Sequence, residues 1–193
     1  MGQAMARAAA RLDAARRIMT ELRLADHWGR FGQPCVVGAV AHELVVHPDI
    51  DMEIYMDQVR IADGFWVLEA WARHPRVTHC RFANHLDGPD QGLYWQVRFR
   101  DEQDVEWKVD MWSVAHDHPG PWGRALVAPL RRALTDETRE AILLIKEALL
   151  DRHGEFPSLW IYRAVVEGGV RTTEEFLRWF AREYEPGLSS WVP

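Results

Sequence analysis

The chain has 193 residues, of which 48% are hydrophobic and 27% are charged, and its formal net charge at pH 7 is −6. This length and composition predict one folded unit with a well-buried core and exclude global disorder, and no apolar run approaches the ~20 residues that cross a bilayer. The negative charge argues against broad binding of nucleic acid, which depends on basic side chains, and favours a cationic substrate.

The first elements in chain order are a helix and two strands. Apolar residues recur at helical spacing over residues 4–24 and predict an amphipathic helix. Residues 27–34 contain two glycines and a proline, which predict a loop. A short apolar strand is predicted at 35–37. Polar and apolar residues then alternate over 49–55, which predicts a strand with one buried face.

The middle of the chain continues this mixture of helix and strand. Residues 57–73 are predicted to be helical in part, and residues 77–82 to form a strand. Two further strands, at 93–99 and 105–112, flank the polar turn at 101–103, so we expect them to form a hairpin.

A segment rich in proline and glycine, residues 117–123, separates this part from a helical one. Thr172 and Glu175 have the spacing of a capping box at a helix start. The predicted fold class is therefore α/β (α+β), with a mixed sheet and flanking helices in residues 1–117 and a helical part in residues 118–193 that packs on it. The predicted helices of the second part are residues 124–134, 136–151, 158–167 and 173–184.

The two cysteines and the N-terminal segment bear on the compartment. Cys35 and Cys80 lie in apolar, strand-like segments without CxxC spacing, so we expect buried free thiols in a reducing compartment. The first residues lack the apolar centre and cleavage pattern of a secretory signal. The expected location is the cytoplasm, without a membrane partner.

Three short segments contain residues that could bind a ligand or take part in catalysis, and they occur in this order along the chain. Gly38 and Ala39 follow a short apolar strand, Asp49 and Asp51 lie on the next strand, and Asp110 lies on a later one. Residues i and i+2 of a strand face the same side, and a third carboxylate on an adjacent strand would complete a cluster. Such a cluster is best neutralised by a hard divalent cation that prefers oxygen ligands, Mg²⁺ or Mn²⁺.

This ordered set resembles the motif of the polymerase-β-like nucleotidyltransferase superfamily, in its minimal and antibiotic-type members. The resemblance covers roughly residues 30–115. It implies a nucleotidyltransferase fold, catalytic and metal-binding roles for Asp49, Asp51 and Asp110, and contact of the nucleotide phosphates with the turn that begins at Gly38. Active members usually have Gly or Ser at the position of Ala39, whose side chain lacks a hydroxyl group, although its backbone N–H remains a donor for phosphate.

Two other charged residues share a strand face with these carboxylates. One interpretation of Glu53 is functional: an additional metal ligand, or a base that deprotonates the acceptor hydroxyl. The other is a solvated or salt-bridged strand residue, and we favour this structural interpretation. Lys108 either binds the triphosphate of a nucleotide or offsets the charge of Asp110. The sequence does not separate these two roles of Lys108.

The interpretation that we favour is an enzyme: a metal-dependent transfer of a nucleoside monophosphate from an NTP to a hydroxyl of an acceptor. The acceptor is expected to be a protein or a small molecule, cationic and aminoglycoside-like on the charge argument, and not nucleic acid. The alternative is a catalytically silent protein of the same fold that binds or regulates, which Ala39 supports and the three intact carboxylates oppose. A third interpretation is a module whose helical half binds a partner.

Overall fold

The computed structural model describes residues 2–153, 156–187 and 189–193, with the backbone alone at 152 and 153. In these residues the strands are β1 (Gln33–Val37), β2 (Asp49–Met56), β3 (Val77–Asn84), β4 (Gly92–Arg100) and β5 (Glu106–Ala115). The helices are α1 (Gln3–Glu21), α2 (Leu24–Trp28), α3 (Gly38–His42), α4 (Ile61–Ala72), α5 (Gly123–Ala133), α6 (Asp136–His153), α7 (Ser158–Val166) and α8 (Thr173–Glu183).

The five strands of the described chain form one mixed sheet in the order β1-β2-β5-β4-β3. Strands β2 and β5 are parallel, whereas the other neighbouring pairs are antiparallel. The hairpin of β4 and β5 is confirmed, as is the predicted mixed sheet with flanking helices. The parallel pair places β2 next to β5, although the two strands are far apart along the chain.

The sheet has one covered face and one open face because side chains alternate along its strands. Ile50, Met52 and Ile54 of β2 are at most 2% exposed and pack in a core with apolar residues of α1, α2 and α4. Each fully buried side chain of this size contributes roughly 1.5–3 kcal/mol of stability. The alternate residues of β2, β5 and β4 point to the other face, where the predicted functional residues lie.

The C-terminal helices pack beside the sheet, against α1, α3 and β1. Their apolar residues form a second cluster that includes Ala4 and Ala8 of α1, while the later residues of α1 belong to the cluster under the sheet. Helix α1 thus contributes to both clusters. The predicted division of the chain between residues 117 and 118 stays a prediction. Among the described helices, none is both long and apolar enough to cross a membrane.

The start of the chain differs from the predicted single helix and loop. Helix α1 ends at Glu21, and Arg23 adopts the left-handed region with φ of 49°. The short helix α2 follows and inserts Leu24 and Trp28, both 0% exposed, into the core. Burial of these two large side chains outweighs the cost of the break, and helical spacing alone does not reveal it.

The cysteines are free thiols as expected, but the expectation that both are buried is wrong. Cys80 is exposed and Cys35 is half-buried. The reason is the position of β3 at the edge of the sheet, where four successive residues, 78–81, are exposed. An apolar run at an edge strand is covered less than the same run at the centre of a sheet.

Candidate functional site

The three predicted carboxylates meet on the open face of the sheet. Asp49 and Asp51 are two residues apart on β2, and the parallel register places Asp51 beside Asp110 and Asp49 beside Lys108 on β5. One carboxylate oxygen of each aspartate lies within 4.8 Å of the other two. The structure therefore brings together Asp49, Asp51 and Asp110, and their catalytic role stays a prediction.

The electrostatics of this cluster fit a bound cation. Desolvation, together with the charges of Asp49 and Asp110, raises the pKa of Asp51 to about 7. Desolvation is also the largest cause that raises the pKa of Asp49. The Oδ1 atom of Asp49 is buried and has no hydrogen-bond partner among the described residues. Buried carboxylate oxygens are normally hydrogen-bonded or coordinate a metal, so this donor set suits a hard divalent ion.

Asp110 is held in place by neighbouring side chains. The hydroxyl of Tyr94 donates a hydrogen bond to its Oδ1 atom at 2.6 Å, and the amide of Gln96 donates to the same oxygen at 2.9 Å. The ammonium group of Lys108 lies 2.9 Å from Oδ2 of Asp110 and 3.3 Å from Oδ2 of Asp49. These bonds fix the orientation of the third carboxylate before any ligand binds.

Lys108 is a permanent cation in this arrangement. Burial alone would lower the pKa of its ammonium group, but the bonds and charges of Asp110 and Asp49 outweigh burial and raise it. The contacts support the interpretation that Lys108 offsets the charge of the carboxylates. Its predicted contact with a nucleotide stays a prediction.

Gly38 lies where β1 ends and the short helix α3 begins, directly above the cluster. Its φ is +61°, a conformation that favours glycine, and a Cβ atom at this position would lie 2.2 Å from Oδ2 of Asp51. The residue that follows, Ala39, lies beside it on the wall of the cleft. Position 38 thus requires glycine for two reasons, its backbone conformation and the close approach of Asp51.

A cleft of about 340 Å³ opens between this face of the sheet and the C-terminal helices. The sheet side contributes the three aspartates and the turn at Gly38, and the opposite wall includes side chains of α6 and α7. Those residues of the opposite wall are Lys146, Ser158, Leu159 and Tyr162. The helical part therefore completes the site, which the sequence had not indicated.

Lys146 and His42 are residues of this cleft that the sequence did not reveal as functional. The buried ammonium of Lys146 donates a hydrogen bond to the carbonyl oxygen of Leu44 at 3.0 Å. One signal was available, since Lys108 and Lys146 are the only lysines in the chain. His42 lies in a segment whose sequence pattern does not single it out. It is 1% exposed, and its Nδ1 atom has no hydrogen-bond partner among the described residues.

The environment keeps His42 neutral. Burial, followed by the charges of Arg131, Lys146 and Arg139, lowers the pKa of its imidazole to about 4. At neutral pH the ring is therefore uncharged, and it packs edge-on against Tyr162 at 5.6 Å between ring centroids. This ring contact links α3 to α7 across the cleft.

Glu53, the possible base, lies at the edge of the cleft with several partners. Its Oε1 atom accepts a hydrogen bond from the backbone N–H of Gly123 at 2.7 Å, and its Oε2 atom accepts one from the N–H of Arg124 at 3.0 Å. The hydroxyl of Tyr55 also donates to Oε2. An anion at the first N–H groups of α5 stabilises that helix. These contacts favour a structural role, and a role as base stays a prediction.

Replacing Glu53 by Gln separates the two roles. The variant keeps one acceptor oxygen but loses the charge at the start of α5, so we expect the free energy of unfolding to fall by about 1–2 kcal/mol. Transfer activity should fall by less than about tenfold, because no proton transfer is lost. Denaturant unfolding and a transfer assay on the same preparation measure both. A hundredfold loss of activity in a fully folded variant would instead identify Glu53 as the base.

Comparison with known proteins gives relatives by structure and none by sequence. No family model and no curated protein matches the chain. The chain is similar to a cytoplasmic RNA terminal U-transferase, with a TM-score of 0.54 and 14% identity over 80% of this chain and 46% of the other. It is also similar to Cid1 in complex with its short product ApU, with a TM-score of 0.53 and 12% identity over 81% and 48%.

A third similar structure is the CdnC:HORMA-deltaN complex of E. coli MS115-1, with a TM-score of 0.52 and 16% identity over 92% of this chain and 69% of the other. At such low identity these likenesses concern the fold alone. The chain spans about half the length of the first two structures.

Proposed function

We propose that this chain is a metal-dependent nucleotidyltransferase, because its fold is that of the nucleotidyltransferases to which it is similar, as its motif predicted. It would move a nucleoside monophosphate from an NTP to a hydroxyl group. The observation that carries this proposal is the cluster of Asp49, Asp51 and Asp110 within 4.8 Å, in a cleft that also holds Gly38 and Lys146. Mutually repelling charges of this kind are costly in a protein that only binds a partner.

Asp49, Asp51 and Asp110 are the residues that would hold Mg²⁺ or Mn²⁺. The unpartnered Oδ1 atom of Asp49 and the raised pKa of Asp51 are the features of this chain that such an ion would relieve. When bound, the ion supplies positive charge that stabilises phosphate oxygens and activates a hydroxyl group.

We place the triphosphate between the turn at Gly38 and the wall that carries Lys146. A glycine without a side chain lets the backbone approach phosphate oxygens, and the first N–H groups of the following turn donate to them. Lys146 adds a positive charge on the opposite wall of the same cleft. The leaving pyrophosphate then lies on the α3 side of the carboxylates, away from β4.

The acceptor enters from the opposite side, because attacking and leaving oxygens lie roughly in line in phosphoryl transfer. A new bond forms between the acceptor oxygen and the α-phosphorus, and the bond from that phosphorus to the bridging oxygen breaks. The hydroxyl proton passes to solvent water at the open face, because Oδ1 of Asp110 already accepts bonds from Tyr94 and Gln96 and its Oδ2 lies 2.9 Å from the ammonium group of Lys108. Pyrophosphate carries away the electron pair of the broken bond.

The experiment that tests this function measures pyrophosphate release and label transfer from each of the four NTPs labelled at the α-phosphate. Mg²⁺ is present, and the acceptors are aminoglycosides, proteins and nucleotides. The wild type is expected to release pyrophosphate with at least one pair, and Asp110→Asn with none. Absence of release for every NTP and acceptor would contradict the proposal.

Ala39 supports the alternative, a silent member of the fold, and its replacement by Ser tests whether the nucleotide phosphates lie at this turn. A hydroxyl at the phosphate turn adds a hydrogen bond to a charged group, worth about 1.5–3 kcal/mol. We therefore expect Ala39→Ser to tighten NTP binding about tenfold, measured by calorimetry at fixed Mg²⁺. The matched control is Ala39→Gly, which removes the methyl group and adds no hydroxyl. Equal affinities in all three proteins would mean that no phosphate lies at this turn.

A further inference from the structure

The open face of the sheet continues beyond Asp110 toward the β3 edge. The strand register places Gln96 of β4 beside Asp110, and Arg81 of β3 beside Gln96. Two residues further along each strand, on the same face, Tyr94 lies beside Trp112. We call the surface formed by Arg81, Tyr94, Gln96 and Trp112 the outer face. It adjoins the third carboxylate on the side from which an acceptor must approach.

The outer face combines aromatic rings with a cation. The rings of Trp112 and Tyr94 lie 5.2 Å apart between centroids, and the guanidinium carbon of Arg81 lies 5.9 Å from the centroid of Tyr94. Arg81 is exposed and forms no ion pair with any described residue. Its neighbour Arg98, in contrast, is paired with Glu106 at 2.7 Å. Arg81 is thus a cation available to a ligand at this face.

Rings beside an unpaired guanidinium match one class of ligand. Planar bases stack on aromatic side chains, and a guanidinium binds phosphate through two parallel hydrogen bonds. A cationic aminoglycoside would be repelled by Arg81. Two strand spacings, about 10 Å, separate Asp110 from Arg81, so a ligand with its hydroxyl at Asp110 can bring a phosphate of its own or of the neighbouring nucleotide to Arg81.

We infer that the outer face binds the acceptor, and that the acceptor is a nucleotide, either free or at the 3′ end of an oligonucleotide. This inference rests on the proposed transfer function, because that function fixes the side from which the acceptor enters. It replaces the cationic acceptor that the net charge of −6 favoured. Net charge averages over the whole surface, whereas Arg81 acts locally beside the site.

The test uses a fluorescein-labelled hexa-adenylate with a free 3′ hydroxyl, followed by fluorescence anisotropy, with 5′-AMP as competitor. We expect the wild type to bind the probe, and Arg81→Ala to weaken binding about tenfold. The matched control is Arg17→Ala, which removes the same charge from α1 on the covered side of the sheet and should leave binding unchanged. If AMP displaces the probe at a concentration close to that of the probe, the acceptor is the free nucleotide. If AMP does not displace it, the acceptor is the oligonucleotide.

A second measurement, the thermal shift with Mg²⁺ and NTP, separates the two levels of the inference. We expect all three proteins to show the same shift, because Arg81 lies outside the triphosphate site. If the thermal shift is present but the wild type does not bind the hexa-adenylate probe, the acceptor assignment is overturned and the transfer function stands. The same conclusion follows if Arg81→Ala binds the probe as tightly as Arg17→Ala does. If the wild type shows no thermal shift, the proposed transfer function is contradicted, and so is the acceptor assignment that rests on it.

Discussion

Asp51→Asn is expected to abolish nucleotidyl transfer, with a fall of roughly a thousandfold or more. The variant removes the charge of the central carboxylate, and several kcal/mol of transition-state stabilisation depend on the cation that it helps to hold. The side chain keeps its shape, so the fold should persist. The measurement is the rate of pyrophosphate release at saturating Mg²⁺ and NTP, with circular dichroism as the control for folding.

The same substitution should stabilise the metal-free protein at higher pH. The pKa of Asp51 is about 7 in the folded chain and near 3.8 for an unperturbed aspartate. A raised folded pKa means that its contribution to stability is complete below the unfolded value and is lost as the pH rises through about 7. Asn carries no charge at any pH, so the variant lacks this loss.

Melting temperatures of both proteins in EDTA, at about pH 5 and about pH 8.5, measure this effect. The advantage of Asp51→Asn over the wild type is expected to grow with pH. An advantage that is absent at both pH values would mean that the Asp51 carboxyl is not held in a desolvated, like-charged environment, and the cluster would lose its electrostatic basis.

Gly38→Ala is expected to weaken the affinity for NTP by about a hundredfold or more. The added Cβ atom would lie 2.2 Å from Oδ2 of Asp51, so either the turn or the carboxylate must move. If this movement removes two hydrogen bonds to phosphate, at about 1.5 kcal/mol each, the affinity falls about a hundredfold. Alanine in the left-handed conformation also costs roughly 1–2 kcal/mol of stability.

The chain offers a matched control for this variant. Gly169 has φ of +66°, close to that of Gly38, but an added Cβ atom there meets nothing within 4 Å. Gly169→Ala should therefore show the backbone strain alone, with unchanged NTP affinity. Calorimetry and denaturant unfolding on both variants separate strain from contact. If the two variants lose affinity equally, or if neither loses it, the turn at Gly38 is not part of the nucleotide site.

The sheet and most helices were predictable because their patterns are local. Alternation along 49–55 predicted one strand, the polar turn at 101–103 predicted a hairpin that includes 105–112, and the capping box of Thr172 and Glu175 is confirmed at the start of α8. Helix α2 was missed, since its reason is the burial of Trp28 against distant residues such as Met111. A local pattern carries no information about such a contact.

The candidate site was predictable to the same extent. Spacing on the strand predicted that Asp49 and Asp51 face the same side, the resemblance implied that Asp110 joins them, and the parallel pairing of β2 with β5 brings the three together. The partners Tyr94 and Gln96 and the cleft wall with Lys146 come from elements whose placement depends on tertiary packing. Their contribution follows only from the assembled fold.

The most direct measurement is a calorimetric titration of the whole chain with each of the four NTPs, with Mg²⁺ and again with EDTA. A metal-dependent nucleotidyltransferase should bind at least one NTP in Mg²⁺ and lose that binding in EDTA and in Asp51→Asn. Binding to the native state must also raise the melting temperature by mass action. No heat and no melting shift with any NTP at millimolar Mg²⁺ would contradict the function and leave only the fold.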